Sequence, residues 1–126
     1  MTRFAYIRRD GRCVLRADGH ADFCPGRDIV CAGASALVCA LAGALDALGA
    51  QGVQRTLCAG HAAIAADDRA DVRAAFTVAV TGLRQLAAAY PGHVAEDTGR
   101  VPALSGLNDT NLSTLNTQGQ IIREGA

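Results

Sequence analysis

Residues of mixed polarity from Thr2 to Arg9 stop at Asp10-Gly11, and Cys13, Leu15 and Ala17 then alternate with Val14 and Arg16. This period of two predicts two strands, and Asp-Gly between them is a strong signal for a two-residue hairpin. The stretch Gly19 to Arg27 has no period and carries Pro25 and Gly26, so it reads as a loop. From Asp28 to about Leu48 the spacing becomes helical, with Val30, Ala34, Leu37, Leu41, Leu45 and Leu48 on one apolar stripe, ended by Gly49 and Gly52. Val53 to Ala66 holds two short strand-like segments with Ala59-Gly60 as the turn. Asp67 or Asp68 is placed to cap a second helix running to about Tyr90, whose buried face is Val72, Phe76, Val80, Leu83 and Leu86. Pro91-Gly92 stops it.

The order strand-strand-helix-strand-strand-helix predicts an α+β domain, with two helices packed on one face of a four-stranded sheet. From Glu96 the texture changes to Thr, Asn, Gln and Gly. The expected organisation is therefore a domain over 1–95 and a polar tail over 96–126. That tail lies outside the core, either mobile or laid on a partner through Leu104, Leu107, Leu112 and Leu115.

Composition narrows the function. A chain of 126 residues fits one domain, and half of it is hydrophobic, much of that alanine. With no Trp, three Phe and two Tyr, a base-stacking surface is not expected, and twelve basic residues cancel twelve acidic ones without a long basic run. No direct nucleic-acid contact is expected. The N-terminus shows no secretory signal, and the apolar run Ile29 to Leu45 reads as too short and too mild for a membrane span. Five cysteines without a CxxC pair argue against a disulfide framework and against a zinc site, which points to a reducing cytoplasm. Gly19, Gly26 and Gly33 do not make a phosphate loop, so neither a cofactor nor a metal is expected.

Chemistry gathers in "GHADFCPGRDIVCAGAS", Gly19 to Ser35. With Asp28 as N-cap, Cys31 is the third helical residue. A helix start concentrates unpaired N–H groups and partial positive charge, which favour a thiolate, the nucleophilic form of cysteine. His20 closes the preceding strand, and a loop that folds back brings its imidazole to the thiol. A cysteine beside a histidine is the minimum unit for acyl transfer. Asp28, three residues before Cys31, either caps the helix or orients His20. Ser35, four residues after, is placed to donate a hydrogen bond into the site. Gly19, Ala32 and Gly33 are the expected substrate-binding positions, where low side-chain bulk lets a peptide backbone approach. Cys24 is a rival thiol without a helix terminus, Cys13, Cys39 and Cys58 read as packing residues, and His61 and His93 read as turn and helix-end residues.

"GHA" followed by "DIVCAGAS" is similar to the signature of the ribosomal-processing cysteine protease family (Prp), and "LRQLAAAYPGHV" resembles that family's helix end. The resemblance covers about Thr2 to Val94. It implies a cytoplasmic cysteine endopeptidase, often dimeric, that removes an N-terminal extension from a large-subunit ribosomal protein, cutting just after paired aromatic residues in a short apolar motif. Under it the nucleophile falls on Cys31 and the base on His20, with the motif Asp and Ser on Asp28 and Ser35. The expected partners are the N-terminal peptide of a precursor protein and a second copy of the chain, without a membrane. "DFCPGR" departs from the family's Tyr- and Gly-bearing loop, and Gly33 stands where alanine is usual. The alternatives are phage-type processing of a capsid or scaffold precursor, and a non-catalytic adaptor that binds such a protein.

Overall fold

A computed structural model describes residues 1–24 and 26–97. The tail leucines Leu104 to Leu115 and Pro25 lie outside the described residues. Strand β1 (Thr2–Arg9) turns through Asp10 and Gly11, both at positive φ, into β2 (Arg12–Asp18). Helix α1 (Ile29–Ala47) follows, then β3 (Gln54–Cys58), β4 (His61–Asp67), α2 (Ala70–Ala89) and β5 (Val94–Glu96). The sheet order is β3-β4-β2-β1-β5, with β5 parallel to β1 and the other neighbours antiparallel.

The α+β layout is the expected one, but the sheet has five strands instead of four. The fifth is only three residues long and follows directly on the Pro91-Gly92 turn, so no period announces it. It extends through Glu96, past the expected boundary after residue 95. Arg84 of α2 holds Glu96 at 2.8 Å, and the Asp97 N–H donates to the Phe4 carbonyl at 2.7 Å.

Both helices cover one face of the sheet. Phe4, Cys13, Leu15, Ile64 and Ala66 from the strands meet Val30, Leu41 and Leu45 of α1 and Val72, Phe76 and Leu83 of α2. Tyr6 stacks on Phe76 with ring centroids 5.6 Å apart. On α1 the buried stripe is Val30, Ala34, Val38, Leu41, Ala42 and Leu45. Leu37, expected on that stripe, turns instead toward Gly82 of α2, and Leu48 is an exposed C-cap. The helices approach closely because Gly33 opposes Leu86 while Gly82 opposes Leu37.

Two further expectations are corrected. Neither Asp67 nor Asp68 caps α2, because arginines hold both: Arg12 reaches Asp67 at 2.6 Å, and Arg8 and Arg73 each reach Asp68 at 3.0 Å. The N-cap is Arg69, which makes no side-chain capping bond, and Asp71 in the first turn accepts from the Val72 N–H at 2.8 Å. In addition, α1, with 19 residues and a mean hydropathy of 1.9, is long and apolar enough to cross a membrane, and only 33% of that window is buried. Its buried third packs on the sheet and leaves an outer face of Ile29 and small residues.

Phe76 is fully buried against both layers. Phe76→Ala should therefore cost ~3–5 kcal/mol in urea unfolding through cavity formation. A loss of about 0.5 kcal/mol, the range of an ordinary surface change, would contradict this core assignment.

Candidate active site

Local backbone chemistry sets the start of α1. Asp28 is its N-cap: one carboxylate oxygen accepts the Cys31 N–H at 2.8 Å, and the other accepts the Phe23 N–H at 2.9 Å. The same carboxylate thus begins the helix and folds the preceding loop back on it. Of the two roles expected for Asp28, capping is the one seen, since both oxygens are taken by backbone. The Cys31 N–H foremost, with those of Phe23, Cys24 and Val30, holds the Asp28 carboxyl below its ordinary range against the opposing effect of desolvation.

The loop is tied at further points. Ala21 is buried, and its carbonyl accepts from His93 Nδ1 at 2.9 Å. Phe23 stands edge-on to both Tyr90 and His93, with centroids 5.2 and 5.3 Å away. His93, expected only as a helix-end residue, thereby supports the loop that separates His20 from Cys31.

On the other side, β2 and β4 pair so that Asp18 faces His61 and the Gly19 N–H donates to the Gly60 carbonyl at 2.8 Å. His20 therefore stands directly over the β3–β4 turn. A Cβ on Gly60 would lie 2.9 Å from His20 Nε2, and Gly60 has φ +73°, so both the ring's approach and the turn exclude a side chain there. A Cβ on Gly19 would collide with the carbonyl oxygen of Met1, just before β1. Among the described residues no hydrogen bond fixes the His20 ring.

These elements enclose a cavity of about 220 Å³ between α1 and the β3–β4 hairpin. His20, Cys31, Ser35 and Gly19 line it together, as do Cys39, Cys58 and His61. Cys31 is half-buried at the helix start, while His20 and Ser35 are exposed. Ala32 and Gly33 do not line the cavity. At about 100° per residue they turn away from the face shared by Cys31, Ser35 and Val38, and Gly33 packs on Leu86, 3.6 Å from where its Cβ would be. Asp28 shapes the cavity rim through the helix without lining it. Cys24 is exposed in the loop, away from the cavity.

Other expectations change as well. Cys39 and Cys58 are exposed cavity residues instead of packing residues, and only Cys13 is in the core. His61 is not a turn residue: it opens β4, and its Nδ1 contacts Asp18 Oδ1. The repeated "GHA" at Gly60–Ala62 was the available signal: the antiparallel pairing sets Gly60 beside Gly19, His61 opposite Asp18 and Ala62 opposite Ala17.

A half-buried thiol at a helix start, sharing a small cavity with an imidazole, is the equipment of thiol-based acyl transfer. The family comparison agrees. A model of the cysteine protease Prp family matches residues 1–95, and the chain belongs to that family; it is a cysteine peptidase. The fold is similar to that of the essential ribosomal processing protease Prp from Staphylococcus aureus in complex with a covalently linked product peptide. The TM-score is 0.69 and the identity 24%, over 77% of this chain and 98% of that one. With a substrate peptide bound, the Staphylococcus protease matches at TM-score 0.65 and 23% identity, over the same 77% and 98%. SMU.848 from Streptococcus mutans matches at TM-score 0.57 and 27% identity, over 77% of this chain and 92% of its own. No curated protein matches the chain.

The depressed Asp28 carboxyl predicts a direction with pH. A folded-state pKa below the unfolded one stabilises the protein at all pH above the ordinary carboxylate range, and that stabilisation disappears as pH falls through the lowered folded value. Asp28→Asn keeps an oxygen acceptor for capping but loses the charge. Its melting temperature should fall below wild type near neutrality and converge on it in acid, which thermal unfolding across pH checks.

Proposed function

We propose that this peptidase is a cytoplasmic endopeptidase that removes a short N-terminal extension from a precursor, a large-subunit ribosomal protein. The observation that carries this reading is the shared cavity of Cys31 and His20 in a chain of the Prp family. The ribosomal processing named for the Staphylococcus relative supports the substrate class.

In this reading Cys31 gives its proton to His20, and its sulfur attacks the scissile carbonyl carbon. The C–N bond breaks as His20 returns the proton to the leaving amine, leaving a thioester on Cys31. Water then attacks the thioester, His20 takes its proton, and the free thiol and the new carboxyl terminus are released. Charge that develops on the carbonyl oxygen needs donors. The Cys31 N–H is engaged by the Asp28 side chain and the Ala32 N–H by the Asp28 carbonyl at 2.9 Å. The nearby side-chain donor is Ser35, one turn on and lining the same cavity, and it is assigned to the oxyanion.

The chain acts as a homodimer in this account. An apolar groove between α1 and α2, lined by Ala36, Leu37, Ala40 and Leu86 among others, and the exposed Ile29 at 62% support a self-association face.

Cys31→Ala and His20→Ala should each abolish processing of an N-terminally extended precursor, read as product mass, while melting stays cooperative. Full activity in Cys31→Ala with loss in Cys24→Ala would move the nucleophile into the loop. Ser35→Ala should lower kcat by about 100-fold with KM little changed, as removal of an oxyanion donor does. An unchanged kcat would take Ser35 out of that role.

A further inference from the structure

His61 is the second imidazole of the cavity, and it is the one with a carboxylate. Its Nδ1 contacts Asp18 Oδ1, while the other oxygen of Asp18 accepts from Arg16 Nε at 2.7 Å. One oxygen of Asp18 thus faces the guanidinium and the other faces the ring. An accepting carboxylate fixes the proton of a neutral imidazole on Nδ1, so the ring nitrogen left over is Nε2, with its lone pair. The pair is set by the β2–β4 register, which puts Asp18 opposite His61, next to the pair that places His20. An ordinary surface ion pair would leave the ring to solvent. Here the His61 side chain is 35% exposed and lines the cavity with Cys31, His20 and Ser35.

From these contacts we infer that His61 is a substrate-contacting residue, whose Nε2 accepts a backbone N–H of the peptide lying between α1 and the β3–β4 hairpin. Asp18 and Arg16 are positioning residues that act through its tautomer. The inference rests on the peptidase reading of this cavity. An extended peptide presents backbone N–H groups that lose water on entering a cavity, and each needs an acceptor. The Gly60 carbonyl accepts the Gly19 N–H, and the side chain that follows it is the imidazole acceptor beside the peptide path.

The test uses a synthetic peptide with paired aromatic residues in a short apolar N-terminal segment. Its readouts are kcat and KM for active chains, and affinity for chains that also carry Cys31→Ala. His61→Phe removes the acceptor and should raise KM and weaken affinity by about 3- to 10-fold, the worth of one hydrogen bond, with kcat nearly unchanged. His61→Gln keeps an acceptor near the Nε2 position and should stay within about twofold of wild type. Asp18→Asn is the sharper variant. Arg16 holds the amide oxygen on its side, so the NH₂ faces His61 Nδ1 and forces the proton onto Nε2. That reversal should weaken binding as much as His61→Phe does, and it carries the test if the Phe variant does not fold.

Affinity and KM unmoved in both His61→Phe and Asp18→Asn would overturn the inference, as would a His61→Gln loss equal to that of Phe. If the wild-type chain fails to cleave the peptide while Cys31→Ala binds it in a His61-dependent way, the proposed function falls and the contact stands. If the wild type cleaves and nothing depends on His61, the contact falls and the function stands. If the chain neither cleaves nor binds the peptide, both fall.

Discussion

One carboxylate holds the site in shape. Asp28 accepts the Cys31 N–H with one oxygen and the Phe23 N–H with the other, so helix start and loop closure are a single event. The cap places Cys31 at the third position of α1, on the helix face that lines the cavity. It also engages the backbone N–H of Cys31. In the proposed mechanism a side-chain oxyanion donor therefore matters, and Ser35 stands one turn along the same helix, lining the same cavity.

The opposite wall depends on strand pairing. Because Gly19 donates to Gly60, the end of β2 and the start of β4 are locked side by side, with His20 just past the one and His61 opening the other. Gly60 leaves room for the His20 ring, and Asp18 takes hold of His61. The walls meet at fixed spacing because α1 lies flat on the sheet through Val30, Leu41 and Leu45. The Gly33–Leu86 and Gly82–Leu37 contacts set α2 tight against it. The loop between the walls is pinned by Phe23 on Tyr90 and His93, so the end of α2 takes part in holding a site it does not enter.

Strands, helices and the N-cap were legible because each leaves a local mark: a period of two, a period near 3.6, an Asp three residues before a cysteine, an Asp-Gly turn. What was missed depends on neighbours distant in sequence. A three-residue strand such as β5 has no period of its own and exists through pairing with β1. Asp68 looks like a cap in sequence, but Arg8 and Arg73 claim its oxygens. His61 looked like a turn residue until Asp18, 43 positions away, gave it a partner. Ala32 and Gly33 adjoin Cys31 in sequence, yet helical rotation carries them out of the cavity. Cys39 and Cys58 have packing-residue surroundings in sequence and a solvent-facing cavity in space.

Five cysteines make the central claim directly measurable, since three of them line one cavity and a fourth is exposed in the loop. The decisive measurement is reaction of the folded chain with a peptide-derived haloketone, followed by mass mapping of the adduct. The account predicts one adduct per chain, on Cys31, formed far more slowly in His20→Ala. Labelling that falls first on Cys24, Cys39 or Cys58, or that proceeds on Cys31 at the same rate without His20, would contradict it.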